Sequence, residues 1–151
     1  MNDLDTLMER IGYRFKNPTL LERALTHSSF ANERNVESNE RLEFLGDSVL
    51  GFIAADYLYK HETGSEGKLS KHRASVVCEK ALAHYSRTLG VGDCLRLGKG
   101  ERLNGGADRE STLEDAFEAI VGAMYLVVIL LLQQVAKFLE HKLKYEAKGS
   151  H

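Results

Sequence analysis

The chain has 151 residues, 43% apolar and 28% charged, and its 20 Lys and Arg against 22 Asp and Glu leave a formal charge of −2. This length supports one domain with its own core, and the composition excludes a disordered chain or a polybasic tail. A single proline and the absence of tryptophan, with glycines gathered in short stretches, predict an almost all-α protein. Two cysteines are too few for a disulfide framework, and the acidic N-terminus lacks a secretory signal, so a cytoplasmic location is expected.

Three helices are predicted in the first part of the chain. One begins at Asp3 or Asp5 and ends at Gly12, and the next begins at Asn17-Pro18, where a capping side chain precedes a proline. Polar residues 32–39 predict a loop. A long helix from Ser38 or Asn39 to about Lys60 follows, because apolar residues recur there at three- and four-residue steps.

The sequence after residue 60 predicts two further long helices separated by a glycine-rich loop. A basic helix is expected from about Leu69 to Leu89, with Cys78 buried in it, and residues 91–109 are expected to form an extended loop with turns, including one at Gly98-Lys99-Gly100. The last helix begins at Ser111 or Thr112 and reaches about Tyr145, with a possible kink. Its apolar stretch 119–132 is shorter than the roughly 20 residues of a membrane span, which favours a buried or interface-forming helix.

Five acidic residues stand out by their spacing. Glu40, Glu43 and Asp47 fall on one face of the predicted long helix, and Asp115 and Glu118 lie three apart in an apolar stretch. Carboxylates in apolar surroundings are costly unless they are paired or bound to a metal. If the two helices cross, their oxygens form the hard ligand set that Mg²⁺ prefers.

Two alternatives to a magnesium site exist on spacing alone. Acids three and four residues apart are also typical of an ordinary solvated helix face. A helical di-iron site requires glutamates followed three residues later by histidine, and the sequence has no such pair.

One segment points to a particular protein family. Residues 39–48, NERLEFLGDS, resemble the signature sequence of the ribonuclease III family. The resemblance spans roughly residues 11–125 in the same order, through ALTHS at 24–28, EGKLSKHRA at 66–74, LGKGE at 97–101 with Gly105-Gly106, and STLEDAFEAIVGA at 111–123. It implies the all-α fold of the ribonuclease III endonuclease domain in residues 1–147. Residues 148–151 are expected to be a flexible tail or a cloning remnant.

The resemblance also implies an activity. Members of the family are homodimers that cut double-stranded RNA with Mg²⁺, for which Mn²⁺ substitutes, in processing such as the maturation of rRNA precursors, and leave 5′-phosphate and 3′-hydroxyl ends. The matching positions assign metal binding to Glu43, Asp47, Asp115 and Glu118, with Asp47 and Glu118 as catalytic residues. Glu40 and Glu66 match accessory acids near the cutting site, and Phe44 matches an aromatic residue of the dimer interface.

Two basic clusters are candidate RNA contacts, because each neutralised phosphate releases counterions. They contain Lys68, Lys71 and Arg73 in the predicted basic helix, and Arg96 and Lys99 in the glycine-rich loop. His27 is interpreted as a packing or hydrogen-bonding residue.

The sequence departs from the family pattern after Leu126, where it continues with the apolar run 127–132, and it ends where relatives continue into a double-stranded-RNA-binding domain. It is therefore expected to be a catalytic domain without that second domain. The alternative function is a non-catalytic double-stranded-RNA-binding or scaffold module of the same fold, with a helical dimer without RNA as a weaker one.

Overall fold

The computed structural model describes residues 2–149, without the side chains of residues 138, 143 and 145–147. The helices in chain order are α1 (Asp3–Ile11), α2 (Thr19–Ala24), α3 (Ser28–Arg34), α4 (Glu40–His61), α5 (Glu66–Val77), α6 (Glu79–Leu89), α7 (Lys99–Leu103) and α8 (Glu110–Gly149). Short 3-10 turns cover Val91–Cys94 and Gly106–Asp108. Over the described range, β pairing is limited to one isolated bridge between Thr26 and Arg96. The predicted all-α class is confirmed.

The first helices follow their capping signals with small shifts. Asn2 rather than an aspartate caps α1, since its side chain accepts a hydrogen bond from the Asp5 amide at 2.8 Å, and Gly12 ends the helix with a φ of 77°. The Asn17 side chain accepts from the Thr19 amide, so α2 begins just after Pro18. The loop predicted for residues 32–39 is wrong in its first part, because α3 continues through Arg34.

The predicted basic helix of residues 69–89 is in fact two helices. Cys78 has an extended backbone, with φ −73° and ψ 162°, and separates α5 from α6. The expectation that Cys78 is buried is also wrong, since this residue is exposed at the junction. No proline or glycine marks the break in the sequence. The break lets α5 lie along α4 while α6 packs against α8.

The glycine-rich segment is more ordered than a loop. It contains α7, whose start at Lys99 follows the extended Gly98, and the Gly98-Lys99-Gly100 segment predicted as a turn is therefore the beginning of a helix. Leu95 and Leu97 are buried and attach this segment to the core. The rest of the core comes from α1, α2, α4, α6 and the first half of α8.

The crossing of α4 and α8 brings two helix backbones into close contact at two glycines. A Cβ atom at Gly46 would overlap the carbonyl oxygen of Glu118, and one at Gly122 would overlap the carbonyl oxygen of Leu42. Only glycine permits the two backbones to come so near. This contact fixes which residues of α4 face which residues of α8.

Helix α8 continues without a break to Gly149, so Lys148 and Gly149 are helical, and Ser150 and His151 lie outside the described residues. Its segment Glu110–Lys142 is long and apolar enough to cross a membrane by length and composition, with a window of mean hydropathy 2.2. The first half of the helix is buried in the core around Leu113, Ala116 and Ala119. The expected absence of a membrane span therefore stays a prediction.

Candidate catalytic acid cluster

The crossing of α4 and α8 brings together two pairs of acids that lie about seventy residues apart in the sequence. Glu43 and Asp47 lie on α4 and flank Gly46, while Asp115 and Glu118 lie on α8 near the point where Gly46 meets it. The carboxyl groups of Glu43 and Asp115 share a hydrogen bond, and the charges of Asp47 and Glu43 act on Glu118. The predicted convergence of the two helices is therefore present.

Glu118 is the most buried member of this cluster. Only 6% of the residue is exposed. Burial, followed by the charges of Asp47, Glu114, Glu43 and Asp115, raises the pKa of Glu118 from 4.5 to about 8. A carboxyl group with this pKa is largely protonated at neutral pH unless a cation lies beside it.

The carboxyl groups of Glu43 and Asp115 also have raised pKa values. Burial and then the negative charge of Asp115 raise the pKa of Glu43 from 4.5 to about 7. Burial also raises the pKa of Asp115, while its hydrogen bond with Glu43 and the charge of His27 act in the opposite direction. One proton shared between these two carboxyl groups relieves their repulsion.

The donor chemistry of the cluster fits a divalent cation. Its ligands are hard carboxylate oxygens in a partly dehydrated setting, which is the set that Mg²⁺ selects while keeping several waters. The pKa values of Glu43, Asp115 and Glu118 are raised because the ionised form of each carboxyl group is unfavourable in this setting. A bound divalent cation would stabilise these ionised forms. Within residues 2–149, no three histidine, cysteine, aspartate or glutamate side chains already stand at metal-enclosing distances.

The two predicted accessory acids lie in different places. Glu40 begins α4, and its charge raises the pKa of both Glu43 and Asp115, so it lies at the edge of the cluster. Glu66 begins α5, accepts a hydrogen bond from the Ser70 hydroxyl and lines a groove of about 400 Å³ between α4 and α5. The structure thus does not bring Glu66 to the four acids of the same chain, because α5 packs along the far half of α4.

Phe44 lies on the surface of the described chain rather than in its core. It is 79% exposed and borders a cleft of about 530 Å³ that is also lined by Arg41, Leu45 and Leu126. Leaving an aromatic side chain in water forgoes the favourable burial of a large apolar surface. The position of Phe44 therefore suits a contact with another molecule.

The five predicted RNA-contacting cations are all on the surface. They are Lys68, Lys71, Arg73, Arg96 and Lys99. Arg73 shares the α4 and α5 groove with Glu66, while Arg96 and Lys99 lie in the segment that leads into α7. The two groups belong to separate parts of the surface.

Sequence reasoning missed two acidic residues beside the cluster, Glu114 and Glu79. Glu114 has a raised pKa, caused first by burial and then by the charges of Glu79, Asp115 and Asp47. His27 caps α3, and its charge acts on Asp115. The position of Glu114 directly before Asp115 was a usable signal for its proximity. Nothing local in the sequence indicated Glu79, which the tertiary fold brings close, whereas the prediction that His27 forms hydrogen bonds is confirmed by its bond with the Ser29 amide.

Comparison with known proteins agrees with this geometry. Residues 17–143 match the model of a family described as ribonuclease-III-like. The chain is 56% identical over 124 residues to ribonuclease 3 of Bdellovibrio bacteriovorus, which covers 80% of this chain and 53% of that protein. It is 54% identical over 126 residues to ribonuclease 3 of Caldanaerobacter subterraneus, which covers 82% of this chain and 55% of that protein. The chain thus spans about half the length of these curated relatives.

The chain is also similar to solved structures of related nucleases. The nuclease domain of ribonuclease III from Campylobacter jejuni, in a structure that concerns a region involved in dimer formation, matches with a TM-score of 0.77 and 43% identity over 82% of this chain and 85% of that one. Dicer from Pichia stipitis matches with a TM-score of 0.58 and 32% identity over 85% of this chain and 55% of that one. The half of the relatives' length that this chain covers is therefore equivalent to a nuclease domain.

Proposed function

This chain belongs to the ribonuclease III family and has the fold of its endonuclease domain, and from that premise we propose that it is a Mg²⁺-dependent endoribonuclease acting on double-stranded RNA. The observation that carries the proposal is the convergence of Glu43, Asp47, Asp115 and Glu118 at the α4 and α8 crossing. Glu118 is buried, Glu43 and Asp115 are half-buried and Asp47 is exposed. The pKa values of Glu43 and Glu118, raised to about 7 and about 8, show that their negative charges cost stability. A fold that retains such a cluster implies a positively charged ligand.

The four acids would hold the divalent cation, with Mn²⁺ able to replace Mg²⁺. When bound, the cation supplies positive charge to a phosphate oxygen and lowers the pKa of a coordinated water. Of the neighbouring charges, that of Asp47 acts most strongly on Glu118, and we assign these two acids the positions closest to the reacting phosphate. Glu43 and Asp115 would hold the other side of the cation, and their raised pKa values mean that its positive charge would favour the ionised form of both.

We propose further that the protein acts as a homodimer in the cytoplasm, on duplex RNA such as rRNA precursors, leaving 5′-phosphate and 3′-hydroxyl ends. The exposed Phe44 beside its apolar cleft supports a contact between two copies. The two free cysteines are compatible with a reducing compartment. Double-stranded RNA is recognised mainly by shape and backbone, so we expect little dependence on base sequence.

Cleavage of a long RNA duplex at low salt tests the proposal. With Mg²⁺ the chain should yield short duplex products, and Glu118→Ala should slow this reaction by at least about a hundredfold, because it removes the most buried acid of the cluster. Glu110→Gln is the matched control, since Glu110 is an exposed acid on the same helix that faces Arg87.

Three results would decide against the proposal. Cleavage that persists in excess chelator would exclude the metal, and full activity of Glu118→Ala would exclude the assigned site. An intact duplex that nevertheless binds the chain, as seen on a native gel, would favour the alternative of a non-catalytic double-stranded-RNA-binding or scaffold module.

A further inference from the structure

Two arginine side chains share one aromatic ring on the surface near the acid cluster. The guanidinium carbon of Arg96 lies 4.7 Å from the centre of the Phe30 ring, and that of Arg34 lies 5.3 Å from the same centre. Both arginines are exposed, while Phe30 is half-buried. Attraction between a guanidinium group and an aromatic ring restrains both flexible side chains. The pair is thus held in place before any ligand arrives.

The backbone beneath the pair is also fixed. The Arg96 amide donates to the Leu25 carbonyl at 2.8 Å, and the Arg96 carbonyl accepts from the His27 amide at 3.0 Å. The next turn is attached to α3, since the Gly98 amide donates to the Ser29 hydroxyl at 2.9 Å and the Lys99 amide to the Glu33 carboxylate at 2.9 Å. A cationic group on a rigid frame loses little freedom when it binds.

The same segment connects the arginine pair with the acid cluster. Asn39, which precedes α4, donates its amide to the Thr26 carbonyl at 2.9 Å and its side-chain amide to the Ala24 carbonyl at 3.0 Å. Residues 24–27 therefore lie between Arg96 on one side and the start of α4 on the other. A molecule spanning this segment would reach both the arginines and the acids.

Two carboxylates near the pair, Glu33 and Glu37, are engaged with other groups. Glu37 faces Arg23 at 3.5 Å, and Glu33 accepts from the Lys99 amide. In the part of the chain that the structure describes, the ion pairs do not include Arg34 or Arg96. Arg96 also borders a shallow pocket of about 170 Å³ with Glu22 and Glu37. The guanidinium donors are therefore available to an anion from outside.

We propose that Arg34, Phe30 and Arg96 form a clamp for the phosphate backbone of the RNA strand next to the cutting site. Planar guanidinium groups match a phosphate with two parallel hydrogen bonds, which a lysine does not do. Because the Phe30 ring holds the two arginines, it is not a stacking platform for bases, and the clamp reads backbone rather than sequence. This inference rests on the proposed function and names the binding site that goes with it.

The salt dependence of RNA binding tests the clamp. The cleavage-deficient Glu118→Gln chain is the parent, and its affinity for a fluorescent RNA duplex in Ca²⁺ is measured by anisotropy from about 50 to 200 mM salt. Replacing both arginines with alanine should weaken binding about tenfold at low salt and reduce the slope of log affinity against log salt by about 1 to 2. Phe30→Leu should weaken binding about threefold and leave the slope unchanged, because both charges remain.

Arg14→Ala is the matched control, because Arg14 is an exposed arginine in the segment after α1 that pairs with Asp5. Its slope should equal that of the parent. The clamp is overturned if the double arginine variant keeps the parent's slope, or if Arg14→Ala lowers the slope equally. If the unmodified chain neither binds nor cuts the duplex, the proposed function fails together with the clamp. If it cuts and the slopes are equal, only the clamp fails.

Discussion

At the residue scale, Glu118 is the side chain at which stability and the proposed chemistry conflict. Its carboxyl group is buried among four other acids, and its pKa is raised from 4.5 to about 8. The folded state therefore binds this proton more tightly than the unfolded state does. Stability must fall as the pH rises from about 4.5 to about 8, because the unfolded chain releases the proton first.

We predict that Glu118→Gln stabilises the metal-free chain at alkaline pH. At a pH above 8 in excess chelator, the variant should exceed the unmodified chain by about 1 kcal/mol or more, since each unit of pKa shift is equivalent to about 1.4 kcal/mol. Near pH 5 the difference should largely vanish, because Glu118 is then protonated in the folded chain. Thermal unfolding from pH 5 to above pH 8 measures this stability difference. A difference that grows as the pH falls would contradict the raised pKa of Glu118.

The other residues of the site differ in how well the sequence predicted them. Glu43, Asp47, Asp115 and Glu118 could be paired because their spacing places each pair on one helical face and their apolar neighbours imply burial. Whether the two helices actually cross is a tertiary property. Glu66 shows the limit, since its motif was recognisable but its distance from the cluster depends on how α5 packs.

At the scale of single elements, local signals predicted helices with strong periodicity and missed breaks imposed by packing. The long α4 agrees with its prediction within a residue at each end. The break at Cys78 was missed, because Val76-Val77-Cys78-Glu79 contains no proline or glycine, and the weak helix propensity of valine and cysteine alone does not predict a break. The contacts of α5 with α4 and of α6 with α8 require the chain to turn there.

The glycines at the helix crossing give a prediction for this scale. Gly46→Ala should destabilise the chain by about 3 kcal/mol, because the new methyl group overlaps the Glu118 carbonyl and neither backbone has space to move. Gly51→Ala lies in the same helix with nothing within 4 Å of the added atom and should stabilise by about 0.5 to 1 kcal/mol. Urea unfolding of both variants measures the difference. Equal stability of the two variants would show that the α4 and α8 backbones are farther apart.

At the scale of the whole molecule, several large apolar side chains are exposed on the described surface. Phe44 and Leu103 are 79% and 86% exposed, and the second half of α8 exposes Val128, Leu132 and Val135 by more than half. The sequence contains an apolar run at 127–132 that departs from the family pattern, and the last helix predicted to reach about Tyr145 is one unbroken element through this run. Exposed apolar residues beside a cleft are typical of interaction sites.

Phe44 is the exposed residue that we expect to hold two copies together. It borders the cleft of about 530 Å³ whose other walls include Arg41 and Leu126, so a second copy related by a two-fold axis could place its own Phe44 there. Phe44→Ala should raise the dimer dissociation constant at least about tenfold, the cost of removing an aromatic anchor. Sedimentation equilibrium over a concentration series measures the constant.

Leu103→Ala is the control for this change, because Leu103 is even more exposed but lies on α7, outside the cleft. It should leave the dissociation constant unchanged. If both variants weaken association equally, the contact is non-specific apolar adhesion. If neither does, the two copies meet through a different face. The acid clusters of both variants should remain intact, so any loss of duplex cutting by Phe44→Ala should be recovered at concentrations high enough to restore the dimer.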